Sequence, residues 1–94
     1  MSNLENFRQQ IDLLDAQLIE LLGRRFEVVR NVAHFKKEQG IPMMQAARID
    51  AVKERTARLA AQYSVGPEFI SALYDLIIEE SCRVEDQIIE NQDR

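Results

Sequence analysis

Residues 4–35 read LENFRQQIDLLDAQLIELLGRRFEVVRNVAHF, and in them Leu4, Phe7, Ile11, Leu14, Leu18, Leu21, Val28, Val32 and Phe35 recur in alternating steps of three and four. That spacing is a heptad seam, which returns to the same azimuth every two turns and lines its apolar side chains along one side of a single helix. Ser2 or Asn3 can cap the start, Glu5 suits the positive end of the helix dipole, and Lys36, Lys37, Gly40 and Pro42 mark the end. The pattern predicts a first helix over roughly residues 3–38. At about 1.5 Å per residue it exceeds roughly 50 Å, more than the width of a compact chain of this length, so its stripe needs a second chain to cover it.

Working outward, a second helix is expected from Gln45 to about Tyr63, with Ile49, Val52 and Leu59 on its inner side. Gly66 and Pro67 interrupt the chain, and Pro67 suits the first turn of a third helix that runs to about Asn91. Its stripe is Phe69, Ile70, Leu73, Leu76, Ile77, Val84 and Ile88, and Gln92 to Arg94 are expected to fray. With three Gly, two Pro and no turn clusters between alternating β-branched runs, the class is all-α, a three-helix protomer with one very long N-terminal helix. The 94 residues make a single domain, 1–94, which buries little apolar surface by itself.

Composition removes several function classes. A net charge of −4 disfavours nucleic acid, whose phosphates call for a basic face. The lone cysteine, Cys82, excludes an internal disulfide, and one histidine, His34, cannot build a Cys/His metal site by itself. No metal or cofactor is expected. The chain lacks an N-terminal apolar h-region and any run near the roughly 18 to 20 apolar residues that cross a bilayer, so a soluble, cytoplasmic protein is expected.

The seam predicts its own next member between Leu21 and Val28, and Arg25 stands there. A cation in a core slot needs a carboxylate, either from a Glu of this acidic chain or from a ligand. Lys36 follows eleven residues later, three turns on and at nearly the same azimuth, about 16 Å along the axis. The two cations can grip opposite ends of one small dianion. Arg8 lies about 25 Å before Arg25 and reaches such a site only in another chain, as an antiparallel pairing of two long helices would allow. Arg48 and Gln45 open the second helix, where either can close over a pocket. Ser81 and Glu85 share a face of the third helix at i and i+4. Ser81 can bind a carboxylate. Glu85 is either a solvated helix carboxylate or, when protonated, a hydrogen-bond donor. Cys82 and His34 read as packing and surface residues, since no hydroxyl or thiol stands with a His and an orienting acid.

Taken in order, Leu4 to Arg8, LIELLGRR at 18–25, Phe35-Lys36, Pro42, Arg48 and LIIEES at 76–81 resemble the all-helical chorismate mutases. The resemblance runs over nearly the whole chain, without a gap from Arg8 to Glu85. It implies an intertwined homodimer whose shared sites bind a cyclohexadiene bearing two carboxylates. It also implies roles: Arg8 from the partner and Arg25 on the side-chain carboxylate, Lys36 on the developing ether oxygen, Arg48 in closing the site, and Ser81 on the ring carboxylate. The chemistry implied is a pericyclic [3,3] rearrangement, which asks for conformational restraint and fixed positive charge rather than a nucleophile or metal.

Three positions depart from the usual family pattern. The carboxylate that usually follows the second-helix arginine and accepts from the ring C4 hydroxyl is Ile49, and the Gln that donates to the ether oxygen is Glu85, with Gln45 at a position acidic elsewhere in the family. Together with Ile41 to Gln45 and Ser81 to Asp86, they look like the branch that rearranges 4-amino-4-deoxychorismate. An amine at C4 would then need Gln45 or Glu85 as acceptor. The rivals are ordinary chorismate mutase, isochorismate pyruvate-lyase on the same scaffold, and a non-enzymatic helical dimerisation module in which Arg25 pairs with a Glu of its partner.

Overall fold

The seam and the two shorter stripes become α1 (Asn3–Gln39), α2 (Ala46–Gln62) and α3 (Pro67–Asn91). The structure is a computed structural model that describes residues 3–43 and 45–91. The expected cap at Ser2 and the fraying of Gln92 to Arg94 lie outside those residues, and Asn3 is the first helical residue described. The fold is all-α, as the periodicities require.

Both interhelical connections start with the same device. At the end of α1 the Ile41 N–H donates to the Lys36 carbonyl at 2.9 Å and the Gly40 N–H to Lys37 at 3.4 Å, with Gly40 at φ 67°. At the end of α2 the Val65 N–H donates to Ala60 at 2.9 Å and the Ser64 N–H to Ala61 at 3.4 Å, with Ser64 at φ 58°. These are paired Schellman closures, which satisfy the last carbonyls by turning one residue left-handed. Gln45 then enters α2 in extended conformation, its carbonyl accepting from Arg48 and Ile49, and its side chain makes no capping bond. Pro67 and Glu68 fill the first turn of α3.

Packing runs through α3, which lies against both other helices, while α1 and α2 have no close backbone approach to each other. The buried line of α2 is Val52, Thr56 and Ala60, and that of α3 is Ile77, Ser81 and Glu85, each at every fourth residue; α1 adds Ala33. Thr56 satisfies its hydroxyl by donating to the Val52 carbonyl at 2.9 Å. Among the described residues no large side chain is fully buried. Leu59, Phe69 and Leu76, expected on inner sides, are 43%, 63% and 65% exposed. Leu59 and Leu76 lie one residue, about 100°, off the buried lines, and Phe69 lies two turns before Leu76 on the same outward strip.

The first half of α1 stands open to solvent. Every residue from Asn3 to Leu21 is exposed, including the seam residues Leu4, Phe7, Ile11, Leu14, Leu18 and Leu21. The chain is 58 Å long, with a radius of gyration of 17.0 Å against about 12 Å for a compact chain of this length. Its surface of 7389 Å² exceeds by roughly 1800 Å² that of a compact monomer of the same mass. Among the described residues no helix is long and apolar enough to cross a membrane.

Candidate active site

Because α1 and α2 diverge above α3, a cavity of about 520 Å³ opens between them, lined by all three helices and the loop before α2. On α1 the face that meets it runs Arg25, Val28, Val29, Val32, Lys36, so two cations bracket an apolar floor. From α3 come Ile78, Ser81, Cys82 and Glu85, and from the α2 side Gln45, Arg48, Ile49 and Val52.

Arg25 occupies its seam slot half-buried, and its partner is not an acid. Its Nη1 donates to Ser81 Oγ at 3.0 Å, and its guanidinium carbon lies 5.8 Å from the Tyr74 ring centroid. Ser81 in turn donates to the Ile77 carbonyl at 2.8 Å. Among the described residues no carboxylate of this chain pairs with Arg25. The ion pair to an internal Glu, one of the two sequence alternatives, is therefore not formed within the protomer.

Lys36 is anchored twice, donating to Glu85 Oε1 at 3.0 Å and to the Met43 carbonyl at 2.7 Å. Both side chains of this pair are largely covered, 16% exposed for Lys36 and 10% for Glu85, so each offsets the other's desolvation. An ammonium has three N–H groups, which leaves one for a ligand. Glu85 is thus a buried, cation-paired carboxylate rather than a solvated one. The Cys82 thiol beside them is pushed above its usual value, first by burial and then by the Glu85 carboxylate, against Lys36, with Asp86 adding a smaller push. A thiol held protonated is a poor nucleophile.

Seven of the eight residues singled out from sequence line this one cavity: Arg25, Lys36, Gln45, Arg48, Ile49, Ser81 and Glu85. Gln45 and Arg48 are exposed at its edge and Ile49 forms part of its wall. Arg8 is not brought to it, standing on the bare half of α1 about 25 Å along the axis from Arg25. Sequence reasoning missed the Met43 carbonyl and Tyr74. A backbone acceptor leaves no mark in a sequence, but Tyr74 precedes Ser81 by two helical turns, and that spacing signals a shared face. A second cavity, about 280 Å³, lies between α2 and α3 with Tyr74 and Thr56 in its wall and no charged side chain.

Comparison with known proteins matches residues 7–86 to the family model for chorismate mutase type II, a span that contains every residue of the candidate site and Arg8. The chain belongs to the type II chorismate mutase family. It is accordingly an enzyme, an isomerase of that type. Among family relatives, a protein of Streptomyces venezuelae named 4-amino-4-deoxychorismate mutase is 38% identical, over 97% of this chain and 88% of the relative. One of the same name from Streptomyces pristinaespiralis is 37% identical over 92% of this chain and 67% of the relative. The isochorismate pyruvate lyase of Pseudomonas aeruginosa is 31% identical over 82% and 75%.

Proposed function

We propose that this chorismate mutase family member rearranges 4-amino-4-deoxychorismate to 4-amino-4-deoxyprephenate, in sites shared between the two chains of a homodimer. The observation that carries the reading is the cavity itself: Arg25 and Lys36 at the two ends of an apolar floor, each with donor capacity to spare. One C–O bond breaks and one C–C bond forms within a single molecule, and no proton or electron is exchanged with the protein. What remains for the enzyme is to hold the reactive conformer and to place positive charge where the ether oxygen gains negative charge.

Arg25, joined by Arg8 of the partner subunit, holds the side-chain carboxylate. The free N–H of Lys36 meets the ether oxygen, and Ser81 meets the ring carboxylate once its hydroxyl turns from the Ile77 carbonyl. Arg48 closes the site. At C4 the wall is Ile49, which accepts from neither a hydroxyl nor an amine, so the oxygens that accept from the amine are those of Gln45 and Glu85. The names borne by the two Streptomyces relatives point the same way. The surplus surface on the bare half of α1 supports the dimer, and residues 1–94 act as one domain in the cytosol.

The test is separate incubation with 4-amino-4-deoxychorismate, chorismate and isochorismate, comparing kcat/KM. The amino substrate should win. Preference for chorismate would make the chain an ordinary chorismate mutase, and pyruvate release from isochorismate a lyase. A folded dimer that turns over none of the three would be a helical dimerisation module.

A further inference from the structure

The Arg25 guanidinium is planar and carries its five N–H groups in a fixed fork, so it recognises a carboxylate well only if its plane is held. Arg25 has one hydrogen bond within the protein, from Nη1 to Ser81, and a single bond leaves the plane free to swing about it. Beside that bond stands Tyr74, whose ring centroid lies 5.8 Å from the guanidinium carbon. Tyr74, Ile77 and Ser81 stand at i, i+3 and i+7, so one face of α3 supplies the ring, the carbonyl that fixes the Ser81 hydroxyl at 2.8 Å, and the hydroxyl itself. We propose that Tyr74 is a positioning residue, whose ring holds the Arg25 guanidinium in the orientation that receives a substrate carboxylate.

The contact is electrostatic as well as steric: a cation over an aromatic face is attracted by the ring quadrupole, and the attraction grows as the site is desolvated. A ring, not a hydroxyl, is what the role requires. Tyr74 also lines the second cavity, so the ring is not packed tightly on every side. Its effect belongs to binding, because a carboxylate is present on substrate and transition state alike.

This inference rests on the mutase reading for its kinetic test and carries a second readout that does not. Tyr74→Leu should raise KM for the preferred substrate about 3- to 10-fold with kcat within about 2-fold of the parent. Tyr74→Phe should recover most of that loss; Tyr74→Met stands in if the leucine variant does not fold. In the ligand-free protein, the ¹⁵N-resolved Nε–H resonance of Arg25, assigned through Arg25→Lys, should lose its ring-current shift in Tyr74→Leu and keep it in Tyr74→Phe. Equal losses in the Leu and Phe variants, a fall confined to kcat, or an Arg25 resonance unmoved by Tyr74→Leu would each overturn the proposal. If the parent turns over no substrate, the mutase reading fails while the Arg25 resonance still decides whether Tyr74 orients the guanidinium.

Discussion

Lys36 is held by one carboxylate and one carbonyl, Glu85 at 3.0 Å and Met43 at 2.7 Å, and this arrangement sets what substitutions should do. Lys36→Ala removes the charge proposed to face the breaking C–O bond, and kcat should fall about 100-fold or more, whereas Lys36→Arg should fall less; near-normal turnover in the alanine variant would take Lys36 out of the mechanism. Glu85 answers differently, because only its protonated form can donate to an ether oxygen. If Glu85 donates in that form, kcat/KM of the parent should decline toward high pH, and Glu85→Gln, with a permanent N–H donor, should flatten that decline. If Glu85 instead stays charged and grips the amine at C4, the Gln variant should lose activity on the amino substrate relative to chorismate at every pH. Profiles unchanged for both substrates would leave Glu85 as an anchor for Lys36 alone. Much of this site was legible in the chain because it interrupts a pattern: Arg25 breaks a seam, Lys36 repeats its azimuth, and Ser81 and Glu85 share a face. The Met43 carbonyl and the ring beneath Arg25 were not, since a backbone group has no letter and an aromatic on an apolar helix reads first as core.

The two helix ends offer a controlled comparison, one Schellman closure with Gly40 and one with Ser64, at φ 67° and 58°. A Cβ at position 40 meets no neighbouring atom within 4 Å, so the left-handed backbone alone sets the cost of Gly40→Ala, about 1 kcal/mol of destabilisation. Ser64→Gly relieves the same strain and should stabilise by up to about 1 kcal/mol, with activity unaffected because Ser64 lies outside the cavity. Denaturant midpoints at matched protein concentration measure both, and a Ser64→Gly variant less stable than the parent would contradict the assigned strain. At this scale the sequence is legible: with Gly40, Pro42, Gly66 and Pro67 as breaks, the expected helix bounds fall within a residue of the observed ones. The left-handed turn at Ser64 was not foreseen, because serine carries no preference for it. Nor were the outward positions of Leu59, Phe69 and Leu76, which depend on how α3 is wedged between its neighbours rather than on the spacing within one helix.

At the level of the whole molecule, pairing two protomers over the surplus of roughly 1800 Å² on each would bury roughly 3600 Å², within the range of obligate dimers. Sedimentation should find a dimer at micromolar concentration; a stable folded monomer there would exclude the shared site. Arg8 supplies the sharper test. Mixing Arg8→Ala with Lys36→Ala protein under conditions that exchange subunits should restore activity, because one of the two sites in each mixed dimer regains both residues. No recovery after demonstrated exchange would refute the antiparallel arrangement. The bare half of α1, Asn3 to Leu21, bears also on how the fold is reached in time. A helix with an uncovered apolar face gains little from its own hydrogen bonds, since most helical stability in proteins comes from packing that face. This half leaves the ribosome ahead of α2 and α3, yet with the pairing proposed it is the last to gain its neighbours, which arrive on a different molecule. The final step of folding is then an encounter between two chains, its rate rises with their concentration, and a scarce nascent protomer waits with its seam open.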